Sequence, residues 1–146
     1  MPQPAQNFQN HKRYFPLFHF IAVPLLALNL LYAIYALAHA PSLATAAGLV
    51  LACGVLASVF AARAMAATVQ NRVIRLEMSM RLERVLGAAA AADAISALSL
   101  RQIIALRFAS DAELPALIAR VRANEFKTNG EVKQAIREWQ PDYLRA

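Results

Sequence analysis

Apolar and polar positions divide this chain into three regimes. From Tyr14 to Ala62, 49 consecutive residues contain no Asp, Glu, Lys or Arg, and the run is broken only by the turn signal Pro41-Ser42. Each side of that turn, 16–39 and 43–62, supplies the roughly 20 apolar residues needed to cross about 30 Å of hydrocarbon. A pair of transmembrane helices joined as a hairpin is therefore expected. After Arg63 no Gly or Pro occurs before Gly87, so the second helix should run on beyond the bilayer as a stalk. Val69, Val73, Leu76 and Met80 mark a seam along it at four-three-four spacing, with Glu77 placed to pair with Arg81 at i,i+4.

The third regime is short and amphipathic. Three sequences of the form Ser/Thr-x-x-Glu/Gln announce helix starts: Ser99 to Gln102, Ser110 to Glu113 and Thr128 to Glu131. Leu114, Leu117, Ile118 and Val121 fit an i, i+3, i+4, i+7 apolar face, and so do Val132, Ala135, Ile136 and Trp139. Pro141 should end the last helix, and Trp139, the largest side chain present, should anchor its packing. The expected fold is all-α. It comprises an N-terminal cytosolic arm (1–14), a transmembrane hairpin (15–63), a helical stalk (64–87) and a cytosolic helical domain (88–146).

Composition agrees with a membrane chain. Hydrophobic residues make up 59% and the mean hydropathy is +0.40, values natural where a third of the chain sits in lipid. A soluble protein of 146 residues has too little remaining chain to cover such a hairpin. Lys12-Arg13 and the Ala36-Leu37-Ala38 triplet imitate a secretory signal. The stretch from Phe15 to Ala38 exceeds the roughly 7–15 residues of a signal core, however, and another span follows at once. An uncleaved first span is expected.

Charge sets the orientation. The net charge of +6 lies entirely outside the spans, with Lys12 and Arg13 before them and Arg63, Arg72, Arg75, Arg81 and Arg84 after them. By the positive-inside rule both termini face the cytoplasm. A bilayer with anionic headgroups is the expected partner. Nucleic acid is not, because charges beyond Arg84 are nearly balanced and no binding motif accompanies them.

Within the spans, Asn29 should lie at the depth of Ala52 and Cys53, where a mid-membrane amide serves best as a hydrogen-bonding link between helices. Gly48, Gly54 and Ser58 belong to two stripes of small residues that would permit close helix–helix packing, within the hairpin or to a second copy. Pro24 should kink the first span. At the cytoplasmic boundary His11, Arg13, His19 and Arg63, with Tyr14 beside them, form a candidate headgroup or docking site.

Chemistry is sparse. The four glycines are too scattered for a phosphate-binding loop, His11, His19 and His39 stand apart, and the single Cys53 falls within a span, so no metal site is expected. No catalytic or cofactor-binding residue is identified. Arg107 and Asp111 form the best charged constellation, read as a structural i,i+4 ion pair.

Several phrases carry a resemblance. They are Asn7-Phe8, Asn10-His11, Arg13, Pro16 and His19 before the spans, and Gln70-Asn71-Arg72-Val73-Ile74-Arg75-Leu76-Glu77 after them. Ala105 to Leu114, Lys133, Ala135-Ile136, Trp139, Pro141-Asp142 and Arg145 complete the set. On these the chain resembles, over nearly its full length, a bacterial domain-of-unknown-function family of two-span membrane proteins. Relatives would carry Asp at position 71, where this chain has Asn. The resemblance implies fold and a cytoplasmic-membrane location, and brings no activity.

The functional expectation is a non-enzymatic accessory or scaffold protein of the bacterial inner membrane, presenting a cytosolic helical domain to a second copy or to a membrane or cytosolic partner. The alternative is a small oligomeric channel or transport subunit, with Asn29 and Ser58 facing a shared pore.

Overall fold

A computed structural model describes residues 6–11 and 14–142. Among them the chain is helical, with a single isolated antiparallel bridge between Ala109 and Trp139. Helix α1 (Val23–His39) is followed by α2 (Leu43–Leu86), α3 (Ala88–Ala97), α4 (Leu100–Leu106), α5 (Leu114–Arg122) and α6 (Asn129–Gln134). Residues 14–67 form one compact unit; residues 6–11 and 68–142 form the other. The arm thus folds with the stalk and the short helices.

In the first unit, Leu17–Ala22 forms a π-helical turn before α1. The cause is Pro24, which has no N–H to give the carbonyl four residues back and whose ring crowds it. The Val23 N–H instead reaches five residues back to the Phe18 carbonyl, the wider hydrogen-bonding pattern of a π turn. At the other end the turn is fastened reciprocally. The Thr45 N–H donates to Ser42 Oγ at 3.2 Å and the Ser42 N–H donates to Thr45 Oγ1 at 2.9 Å. Only Ala33 and Ala52 are buried in this unit.

In the second unit α2 continues to Leu86, and Gly87 ends it at φ +83°, a conformation that only glycine adopts without strain. The core gathers Ile74, Met78 and Leu82 from α2, Ala91, Ala94 and Leu98 from α3 and the residue after it, and Ile103 and Leu106 from α4. Leu114, Leu117, Ile118 and Val121 of α5, Val132 of α6, and Ala105, Ala109 and Ile136 complete it around Phe108. The stalk face that packs on the short helices is the one bearing Ile74, Met78 and Leu82. Val69, Val73, Leu76 and Met80, on the opposite side of the helix, are all exposed.

The capping signals are realised unequally. Ser99 and Gln102 form a complete box, and Thr128 Oγ1 accepts the Glu131 N–H. Ser110 Oγ accepts the Glu113 N–H at 3.3 Å, yet α5 itself begins only at Leu114. The Glu113 carboxylate turns away to accept the backbone N–H groups of Arg137 and Glu138 at 3.0 and 3.1 Å. Those bonds hold the end of the chain in a non-helical path. Helix α6 consequently stops at Gln134, so neither Ile136 nor Trp139 is helical and Pro141 has no helix to end.

Candidate functional site

Phe108, 1% exposed, is the centre of an aromatic and cationic cluster in the second unit. It follows the C-cap residue of α4, Arg107. The Trp139 ring lies 4.9 Å from it, the His11 ring 5.8 Å, the Arg107 guanidinium 4.2 Å over its face and Lys133 Nζ 5.5 Å. Trp139 reaches the site as an extended residue: it bridges to Ala109, and the Gln140 N–H donates to the Phe108 carbonyl at 2.7 Å. The expected anchor therefore does pack on the core, from a strand-like segment rather than from a helical face.

The arm enters the same cluster. His11 is buried, with its ring stacked on Phe8 and tilted against Trp139 at 5.7 Å. Lys133 Nζ lies 3.1 Å from His11 Nε2. An ammonium can only donate, so Nε2 accepts and Nδ1 carries the hydrogen that it gives to the Phe8 carbonyl at 2.6 Å. Farther along, the Asp142 N–H donates to the Gln6 side-chain oxygen at 2.8 Å. The two ends of the described chain are thus clasped together over Phe108.

Beside this clasp runs a groove of about 490 Å³ lined by Ile74, Glu77, Met78, Arg81, Arg107, Gln140, Pro141 and Asp142. Its guanidinium groups already serve the fold. Arg81 Nε donates to Asp111 Oδ1 at 2.6 Å, and its terminal nitrogens donate to the carbonyls of Arg107 and Ala109 at 3.0 and 2.6 Å. Arg107 pairs with Asp142 at 3.1 Å. The expected Arg107–Asp111 pair is corrected: each residue finds a partner remote in sequence. Glu77 likewise does not pair with Arg81, whose side chain is drawn across to the loop after α4, where two carbonyls and a carboxylate converge.

The boundary residues divide between the two units. His11 is a core residue of the second, while His19 and Arg63 belong to the first; Arg13 lies outside the described residues. His19 Nδ1 sits 3.0 Å from the Phe15 carbonyl, and its ring meets Tyr14 and Phe18 edge-on. The Arg63 guanidinium lies 5.8 Å from the centre of the Phe18 ring, lining an apolar groove of about 350 Å³ with Phe15, Leu17 and Ala22.

Asn29, Gly48, Gly54 and Ser58 all belong to the first unit. Asn29 is exposed and lines a shallow groove with Gly48 and Ala52, making no hydrogen bond to α2. Ser58 donates to its own helix, to the Gly54 carbonyl at 2.8 Å, and is not in that groove. A Cβ added at Gly48 or Gly54 would meet nothing within 4 Å, so neither glycine is needed for packing within the hairpin.

Among the described residues no three His, Cys, Asp or Glu side chains converge as a metal site. What sequence reasoning missed was the long-range clasp: Gln6 with Asp142 and His11 with Lys133 are separated by 136 and 122 residues, and no periodicity signals such pairs. The phrases around Asn7-Phe8, His11, Ala105 to Leu114, Lys133, Trp139 and Pro141-Asp142 do meet here in space. Comparison with curated proteins and with solved structures gives no match. A family model does match, across residues 1–146, and on it the chain belongs to DUF6526, a family of unknown function.

Proposed function

We propose that this is an integral protein of the bacterial cytoplasmic membrane, with both termini in the cytoplasm, that acts without catalysis as an anchored accessory or scaffold. One observation carries the reading. Leu17–His39 and Leu43–Leu86 are long and apolar enough to cross a bilayer, and their large side chains, Leu25, Leu28, Leu31, Leu43, Val50 and Leu51 among them, point outward. Water would oppose that arrangement at about 25 cal/mol per Å² of apolar surface, whereas lipid accepts it. The cations beside Phe108 are engaged within the domain, Arg107 by Asp142 and Lys133 by His11, which suits a clasp holding a presented domain better than a catalytic centre.

The experiment is cysteine accessibility in intact cells, on a Cys53→Ser background. Ser42→Cys, in the turn, should react with an impermeant maleimide from outside; Ser96→Cys should react only after the membrane is opened. The reverse pattern would invert the topology. Reaction of both from outside, or release of the protein by alkaline carbonate, would end the membrane reading.

A further inference from the structure

The stretch of α2 within the second unit has two apolar faces, and the domain covers only one. Ile74, Met78 and Leu82 are buried by the short helices, while Val69 is 61% exposed, Val73 47%, Leu76 63% and Met80 60%. At 100° per residue the centres of the two faces lie roughly 170° apart around the helix. The exposed stripe is thus turned away from the domain. The same stretch carries Arg72, Arg75 and Glu77, charges that keep it out of hydrocarbon, so an uncovered row of four large side chains calls for a protein partner.

The spacing specifies which partner. Val69 and Leu76 take d positions and Val73 and Met80 take a positions of a heptad, and Ala62 and Ala66, also exposed, continue the same phase toward the spans. Arg72 then occupies g and Glu77 the following e. In a parallel, in-register pair a g residue faces the e residue five positions later on the other chain, so Arg72 of each copy faces Glu77 of the other. Both side chains are exposed. Two copies inserted in one membrane with the same topology can only run parallel in this stretch, which is the orientation that this charge pattern requires.

We propose that Val69–Met80 is the core of a parallel two-stranded coiled coil with a second copy of this chain, clipped by reciprocal Arg72–Glu77 pairs. This deepens the scaffold reading and rests on it for the shared orientation. So short a coil is marginal for free chains. Confinement of both copies to one membrane supplies the effective concentration that free chains lack. The domains then lie on the outer faces of the pair, available to other partners.

The test is oxidative crosslinking of the full chain in native membranes, on the Cys53→Ser background, with Trp139 fluorescence as the check that each variant folds. Val73→Cys, Leu76→Cys and Met80→Cys should each form a disulfide-linked dimer, because only a parallel in-register pair sets all three opposite themselves; Arg75→Cys, away from the seam, should not. Arg72→Glu, added to Leu76→Cys, should lower the dimer yield several-fold by opposing two Glu77 side chains, and Arg72→Glu with Glu77→Arg should restore it. Crosslinking at one seam position only, equal crosslinking at Arg75→Cys, crosslinks to a different protein, or indifference to the charge reversals would overturn the coiled coil. A protein that resists carbonate extraction yet gives such a result loses this inference and keeps its membrane assignment.

Discussion

Arg81 of α2 and Asp111 of the loop before α5 meet at 2.6 Å, Nε to Oδ1, across 30 residues of chain. The same guanidinium holds the carbonyls of Arg107 and Ala109. Its side chain is 12% exposed and that of Asp111 is 57% exposed, so the ion pair itself contributes little and the carbonyl bonds contribute more. Arg81→Met should cost about 2–4 kcal/mol, because two partly buried acceptors lose their donor, while Asp111→Asn should cost less than about 1 kcal/mol. Thermal unfolding of the detergent-solubilised chain would separate the two. Equal losses would mean that the charge pair, not the carbonyl bonds, joins α2 to the domain.

Phe108 and Trp139 should differ in the same assay. Phe108 is almost fully enclosed and Trp139 only partly, so Phe108→Ala should lie near the top of the roughly 3–5 kcal/mol range for deleting a buried aromatic, with Trp139→Ala at or below its bottom. A fragment limited to residues 88–146 should not fold, since it lacks Ile74, Met78 and Leu82 of the core. Cooperative melting of that fragment would show that the α2 face is dispensable.

Trp139 is the only tryptophan, which makes it a reporter for the arm. His11→Ala leaves a void beside the indole and removes the acceptor of Lys133. The emission of Trp139 should shift to the red and gain exposure to iodide quenching, whereas substitution of the exposed Gln9 by Ala should leave both unchanged. An unaltered spectrum for His11→Ala would place the arm elsewhere in solution.

Gly87 and Gly130 offer a backbone test. At φ +83° Gly87 is conformationally demanding, and Gly87→Ala should destabilise by about 1–2 kcal/mol through the local backbone alone, since no residue beyond its chain neighbours lies within 4 Å of the new methyl. Gly130→Ala, in the first turn of α6 with only Thr128 Oγ1 at 3.5 Å, should be neutral or slightly stabilising. A Gly87→Ala protein as stable as the parent would indicate that the α2–α3 junction bends freely.

The sequence determined by itself whatever depends on local order. The two long apolar helices, the end of α2 at Gly87 and the Ser99-Gln102 cap are decided by neighbours within a few residues, where hydropathy, backbone freedom and hydrogen-bonding side chains act directly. Periodicity could also announce that α2 bears an apolar seam. Which seam packs was a tertiary decision: Ile74, Met78 and Leu82 lie under the short helices, and Arg81, on their side of the helix, donates to two carbonyls and a carboxylate that the folded domain brings together. The same holds for Trp139, lifted out of its expected helix when Glu113 captured the N–H groups of Arg137 and Glu138. Arg107 and Asp111 show the reason most plainly. An i,i+4 spacing only allows an ion pair, and the choice among possible partners falls to the fold, which placed Arg81 and Asp142 where each charge could be better met.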